Sequence, residues 1–119
     1  MARLGTAYVL ASAAQTTTFN SGNLVLDEQT NALLFAMNIS AISGAGAQAI
    51  VTIDGIGPDS VAYNLYTSAA LTAVGKTIAY IGPALSTNVQ LWPVIKVTVT
   101  ISGTTPSITM SAEIEQESS

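Results

Sequence analysis

Asp54 and Asp59, with Gly55 and Gly57 between them, are oxygen donors of the kind that hold calcium. Their spacing does not follow the Asp-x-Asp-x-Asp-Gly pattern of a calcium loop, and it supplies nothing near a cage of about six oxygens. Aspartates in a Gly- and Pro-rich turn are explained by hydrogen bonds from their side chains to nearby backbone. Asp27-Glu28 is a carboxylate pair, but neighbouring residues on a strand point to opposite faces, and no aromatic or polar sugar-binding neighbours mark a glycosidase cleft. Gly-x-Gly occurs at Gly44 to Gly46 and at Gly55 to Gly57. Neither instance continues into a dinucleotide or phosphate loop, and neither precedes a helical pattern. The serines are numerous, yet without His they form no Ser-His-Asp triad. No catalytic residue, cofactor-binding residue or metal ligand is therefore assigned, and the expectation is a protein that is not an enzyme and takes no cofactor.

The shortage behind that expectation is general. The 119 residues include 3 Lys and Arg, 7 Asp and Glu, and no His or Cys. Charged residues make up 8% of the chain, against about 25% in an ordinary soluble domain. Without Cys there is neither a disulfide framework nor a thiolate metal site. The net charge is −4, and Arg3, Lys76 and Lys96 are the only cations, so no basic footprint for nucleic acid or anionic lipid exists. Glu113, Glu115 and Glu117 gather three of the seven acids, and read as a solvated, solubilising C-terminal tail. The longest uncharged stretch, Gln29 to Ile53, is broken by Asn, Gln, Ser and Gly, and suits a turn at Ser43-Gly44 better than a membrane span. Arg3 followed by Leu4 to Leu10 and Ala11-Ser12-Ala13 imitates a short secretory signal. Gly5, Thr6 and Tyr8 interrupt its apolar part, and a first strand is the simpler expectation.

Period-two alternation organises the rest. Ile95, Val97, Val99 and Ile101 fall on one face, with Lys96, Thr98 and Thr100 on the other. After Ser102-Gly103-Thr104-Thr105-Pro106 the pattern resumes with Ile108, Met110, Ala112 and Ile114 inward. This predicts a β-hairpin with a Gly-containing loop. A second hairpin is predicted from Phe35, Met37 and Ile39 through the turn at residues 43–46 to Ala49, Val51 and Ile53. Ile-Ser-Gly recurs at both turns. Shorter strands are predicted at Ala7 to Ala11, Val61 to Thr67 and Thr77 to Ile81. The Ala-rich pieces at residues 11–14 and 69–73 are too short to stand as helices. The expected fold is all-β, a single-domain antiparallel β-sandwich or small barrel of about seven to eight strands, with residues 1–18 able to extend as an N-terminal arm.

The outward faces are built from Thr, Ser, Asn and Ala more than from Lys and Glu. Such a surface is cheap to desolvate, because few ions need partners once covered, and a free monomer ordinarily keeps more charge on its strand edges. Three segments sharpen this. Leu10 to Thr18 with Asn20-Ser21, Tyr66 to Thr77 running on to Ile81-Gly82-Pro83, and Ile95 to Thr100 with Ser107 to Ser111 resemble a group of small phage virion structural proteins. Ile50 to Asp59 resembles that group's hairpin exit, with Gly57-Pro58-Asp59 as a departure in residue order. The resemblance implies a bacteriophage capsid decoration (cement) protein of β-sandwich fold. It would sit on the capsid surface of the virion, with the major capsid protein and copies of itself, as a homo-oligomer such as a trimer, for partners and with no role for nucleic acid or membrane. Capsid stabilisation would come from stapling neighbouring subunits. A tail or neck component is the alternative within that class, and a secreted carbohydrate-binding or adhesin-like β-sandwich is the alternative outside it. The residues expected at the interface are Leu4, Tyr8 and Leu10 of the N-terminal segment, Trp92, and the tyrosines Tyr63 and Tyr66, since aromatic side chains anchor binding surfaces.

Overall fold

The structure is a computed structural model that describes residues 2–82 and 93–118. It is all-β and antiparallel. Its strands are β1 (Ala2–Gln15), β2 (Phe19–Asn20), β3 (Leu24–Val25), β4 (Ala32–Ile56), β5 (Ala62–Thr67), β6 (Gly75–Ile81) and β7 (Val94–Ser118). The predicted strands at Val61 to Thr67 and Thr77 to Ile81 correspond to β5 and β6.

Two of these strands set the architecture. β4 and β7 each run for 25 residues and pair with each other along nearly their whole length, from Ala32 opposite Glu117 to Gly55 opposite Ile95. A strand of 25 residues drawn straight would reach roughly 80 Å at about 3.3 Å per residue. The longest dimension of the fold is 42 Å. The β4–β7 ribbon must therefore turn back on itself, and it does so as a unit. Its first layer holds the N-terminal half of β4 and the C-terminal half of β7, flanked by β6 and β1. Its second layer holds the other halves, flanked by β5 on one edge and by β2 and β3 on the other.

The two predicted hairpins are thus corrected. Residues 94–101 do not pair with residues 108–114, nor residues 33–40 with residues 47–54; each pair of segments is one continuous strand carried round a corner. The register shifts of the β4–β7 pairing lie between Ile39 and Ala41, between Ser43 and Ala45, and between Ala45 and Gln48. Bulges of this kind bend a strand and increase its twist. The recurring Ile-Ser-Gly marks the two corner segments lying side by side. Gly44 (φ 104°) and Gly103 (φ 122°) occupy backbone conformations that side chains disfavour. A Cβ on Gly44 would lie 2.7 Å from the Thr105 carbonyl oxygen, and one on Gly103 would lie 2.8 Å from the Ala47 Cα. The ribbon folds where glycine lets its two backbones nearly touch.

Folding the ribbon brings the inward faces of both layers together. Leu33, Phe35, Met37 and Ile39 from one half of β4 join Ala49, Val51 and Ile53 from the other. Ile95, Val97, Val99 and Ile101 of β7 meet Ile108, Met110, Ala112 and Ile114 in the same cluster. Every residue that alternation placed inward is buried. Burying each large aliphatic or aromatic side chain contributes about 1.5–3 kcal/mol, so this core carries the fold. Two buried polar groups close its margins. Ser68 Oγ accepts from the Val51 N–H at 2.9 Å and donates to the Ala69 carbonyl at 2.9 Å. Gln116 Oε1 accepts from the Asp27 N–H at 2.7 Å and from the Thr30 hydroxyl at 2.8 Å, fixing the turn that leads into β4.

Candidate docking surface

With the inward residues committed to the core, function falls to the two outward faces and the strand edges. Pairing aligns the outward residues in rows across the strands. On the first layer one row reads Thr6, Glu115, Leu34, Tyr80 and the next reads Val9, Glu113, Ala36, Ile78. Beyond them Ser111, Asn38 and Lys76 align, and at the other end Arg3, Glu117 and Ala32. The three glutamates are not a solvated tail, as charge pattern alone suggested. They form a column down β7, in the interior of the sheet, one on each successive outward position. Thr6 donates its hydroxyl to Glu115 Oε1 at 2.9 Å. A shallow groove of about 300 Å³ crosses this face between Val9, Ala36, Lys76, Ile78 and Glu113.

The second layer's outward face has a different chemistry. One row reads Asn20, Thr98, Thr52, Thr67, and the next reads Lys96, Asp54, Asn64. Thr100 opposes Ile50. The only charges in these rows are Lys96 and Asp54, directly opposite each other. Asn64 Nδ2 donates to Thr67 Oγ1 at 2.9 Å, to the Tyr66 carbonyl at 3.2 Å and, at 3.4 Å, to Asp54 Oδ1. The molecule therefore separates its surfaces: a charged face with Arg3, Lys76 and the three glutamates on one layer, and a nearly neutral, threonine-rich face on the other.

The residues expected at an interface are distributed unevenly over these surfaces. Residues 2–15, expected to be able to extend as an arm, form an edge strand paired with β7. Leu4 is half-buried on it. Tyr8 and Leu10 oppose Ile114 and Ala112 and pack against the core, and burial pushes the Tyr8 hydroxyl above the ordinary tyrosine range. Tyr66 opposes Ile53 and packs on the core as well. Tyr63 is exposed and donates its hydroxyl to Asp59 Oδ2 at 3.0 Å. Trp92 lies outside the described residues. What sequence reasoning missed is the opposite parity of Val9 and Ile78; Tyr80 shares with Tyr63 and Tyr66 an aromatic's double reading as core residue or interface anchor. Val9, Ile78 and Tyr80 are exposed, and each was marked by a simple signal. Val9 alternates with inward Tyr8 and Leu10, and Ile78 and Tyr80 share the parity of charged Lys76.

Asp59 belongs to the turn between β4 and β5. Its carboxylate accepts from the Val61 N–H at 3.1 Å as well as from Tyr63. These two hydrogen bonds, the backbone one foremost, hold its pKa below the usual carboxylate value. Tyr63 is raised in return, first by the hydrogen bond to Asp59 and then by its charge. Among the described residues no group of three or more His, Cys, Asp or Glu is arranged to hold a metal ion. Exposed Tyr63 and Tyr80 stand on strands of different layers, β5 and β6. Comparison with protein-family models, with curated proteins and with solved structures finds no match.

Proposed function

We propose that this chain is a structural protein of a bacteriophage particle, a decoration protein that binds the outer surface of the assembled head and stabilises it, with the major capsid protein as its partner. The observation that carries this reading is the neutral, threonine-rich outward face of the second layer, around Thr52, Thr67, Thr98 and Thr100. Covering it strands at most one opposed pair of ions, Lys96 and Asp54, so the desolvation that usually opposes burial of a charged surface is small. Its hydroxyls can donate and accept, which suits the backbone and polar groups of a neighbouring shell. The charged first-layer face then points to solvent and keeps the decorated particle soluble. Many copies, each adding a modest contact, sum to a shell that resists internal pressure.

The test is occupancy on particles. Electron microscopy and quantitative mass spectrometry of the parent phage should find this chain at many copies on the outer surface of the head. Thr98→Glu, which sets a charge in the middle of the neutral face, should reduce occupancy on undecorated heads at least about tenfold, since an unpaired charge in a contact costs more than about 1.4 kcal/mol. Glu113→Gln on the other face should leave it unchanged. Absence of the chain from purified particles, or full occupancy by Thr98→Glu, overturns the proposal.

A further inference from the structure

An unpaired strand edge is a template for another strand, and proteins ordinarily guard such edges with bulges, prolines, charges or short length. The edges of this sheet are guarded unequally. β1 carries register shifts at Arg3/Gly5, Thr6/Tyr8 and Leu10/Ala13. β5 pairs across a shift between Ile53 and Asp54. β2 and β3 are 2 residues each. β6 has one of these devices, the charge of Lys76 near its start, and no bulge. Its 7 residues contain no proline, and its pairing with β4 runs unbroken from Leu33 opposite Ile81 to Ile39 opposite Gly75. Its other edge has no strand partner among the described residues. Ile78 and Tyr80 on it are 65% and 54% exposed, so beyond Lys76 the edge is regular and apolar, of the kind that associates.

We infer that β6 pairs antiparallel with β6 of a second copy of this chain, about a two-fold axis at Ile78. The residues themselves select that register. Ile78 is the middle residue of Gly75–Ile81, so centring there is the arrangement in which the whole strand pairs. It sets Ile78 against Ile78 of the second copy, an aliphatic pair of β-branched side chains. On the same face it sets Lys76 opposite Tyr80 of the second copy, and Tyr80 opposite its Lys76. A lysine ammonium over a tyrosine ring is attractive. Thr77 falls opposite Ala79. The other registers pair less of the strand: centring on Thr77 or on Ala79 leaves two of its 7 residues unopposed, and centring on Lys76 also puts two ammonium groups face to face. Antiparallel ladders alternate hydrogen-bonded and open pairs, and a two-fold at Ile78 accommodates it as either. A ring would instead join unlike edges, and among the described strands the alternative on this layer is the thrice-bulged β1, a poor complement to straight β6. The pairing merges the first layers of two copies into one sheet and leaves the neutral face of each second layer free. It does not depend on the virion reading.

The experiment uses the purified full-length chain, with no particle present. Sedimentation equilibrium over a concentration series should show a reversible monomer–dimer equilibrium. Ile78→Lys, which sets two ammonium groups opposite each other on the axis, should weaken it at least about tenfold. Position 78 is exposed, so the variant should keep the wild-type circular dichroism. Because the chain has no Cys, Ile78→Cys supplies a single reporter: under mild oxidant it should form a covalent dimer at least about tenfold faster than Val25→Cys, a 79% exposed position on the other layer. A wild-type monomer at every concentration, a trimer, an unchanged dimer in Ile78→Lys, or equal crosslinking at both positions overturns the inference. A monomer that still decorates heads overturns this inference alone and leaves the virion proposal standing.

Discussion

Gly103→Ala tests the corner on which the whole architecture turns. Two separate effects oppose an alanine there. The backbone at Gly103 has φ 122°, a region essentially reserved for glycine, and holding another residue in such a region costs about 1–3 kcal/mol. The added methyl would also sit 2.8 Å from the Ala47 Cα, 2.9 Å from the Ala47 nitrogen and 2.9 Å from the Gly46 carbonyl oxygen. Comfortable carbon–carbon contact begins near about 3.5 Å, so β4 and β7 must separate by roughly 0.7 Å at the corner. The atoms in the way are backbone and cannot rotate aside. Forcing an extra methyl into packed structure costs about 1–3 kcal/mol. The expected total is about 2–6 kcal/mol, a large part of the ~5–15 kcal/mol that holds a domain of ordinary stability.

Gly46→Ala is the internal control. Gly46 sits in the same corner at φ 67°, but a Cβ there meets nothing within 4 Å. It should lose only the cost of the left-handed conformation, about 1–2 kcal/mol. Urea unfolding followed by far-ultraviolet circular dichroism measures both, and equal m-values for the variants and wild type keep the comparison two-state. If Gly103→Ala is no more destabilising than Gly46→Ala, the two strands do not approach closely at the corner and the folded-ribbon account fails.

Other substitutions probe the margins of the core and the titrating turn. Ser68→Ala removes the acceptor of the buried Val51 N–H, and should cost about 1–3 kcal/mol in the same unfolding assay. Gln116→Ala strands the Asp27 N–H and the Thr30 hydroxyl together; a similar loss of about 1–3 kcal/mol is expected, with faster amide exchange at Asp27. Carbon NMR of the Asp59 carboxyl should give a midpoint below the ordinary aspartate value. Because the folded-state pKa is the lower one, whatever this carboxylate adds to stability is present above the unfolded value and is lost as pH falls through the folded one. Asp59→Ala should move the ultraviolet titration midpoint of Tyr63 down toward the ordinary tyrosine range, and an unmoved midpoint would mean that another neighbour sets it.

Which apolar residues of β4 and β7 face inward was legible, because a strand's side-chain period is fixed by its backbone. Phe35, Val51, Ile95 and Met110 are each buried as alternation requires. Which segment pairs with which was not legible. Ser43-Gly44 and Ser102-Gly103 carry the chemistry of a tight turn, since a turn and a bulged corner both need glycine at positive φ. The choice between them is made by the β4–β7 ladder, whose partners are distant along the chain and leave no mark in local periodicity. Glu113, Glu115 and Glu117 misled for a related reason. Their charge suggests solvent, correctly, but says nothing of whether the backbone beneath them is free or is an interior strand. Of the candidate site, parity would have exposed Val9, Ile78 and Tyr80, whereas aromatic character drew attention to Tyr8 and Tyr66, which the core absorbs.

The segregation of charge follows from the fold and bears on how the chain is used. One ribbon supplies the interior strands of both layers, so β7 presents its Lys96, Thr98, Thr100 side outward on one layer and its Glu113, Glu115, Glu117 side outward on the other. A chain with this few ions has to choose which surface receives them. Spreading them evenly would keep every face soluble and leave none easy to cover. Concentrating the glutamates on β7's C-terminal half leaves the opposite face with one opposed pair of ions, and that is the arrangement expected of a molecule held on one side and wetted on the other. The β6 edge, proposed above to pair with a second copy, competes with neither face. Reversing the asymmetry is therefore the most direct challenge to the reading. Carrying Thr52→Glu and Thr98→Glu together with Glu113→Thr and Glu115→Thr keeps the net charge and the strand propensity while moving the acids to the other layer. Binding to heads should then be lost while self-association through β6 persists, and a variant that still binds would show that the distribution of charge does not choose the docking face.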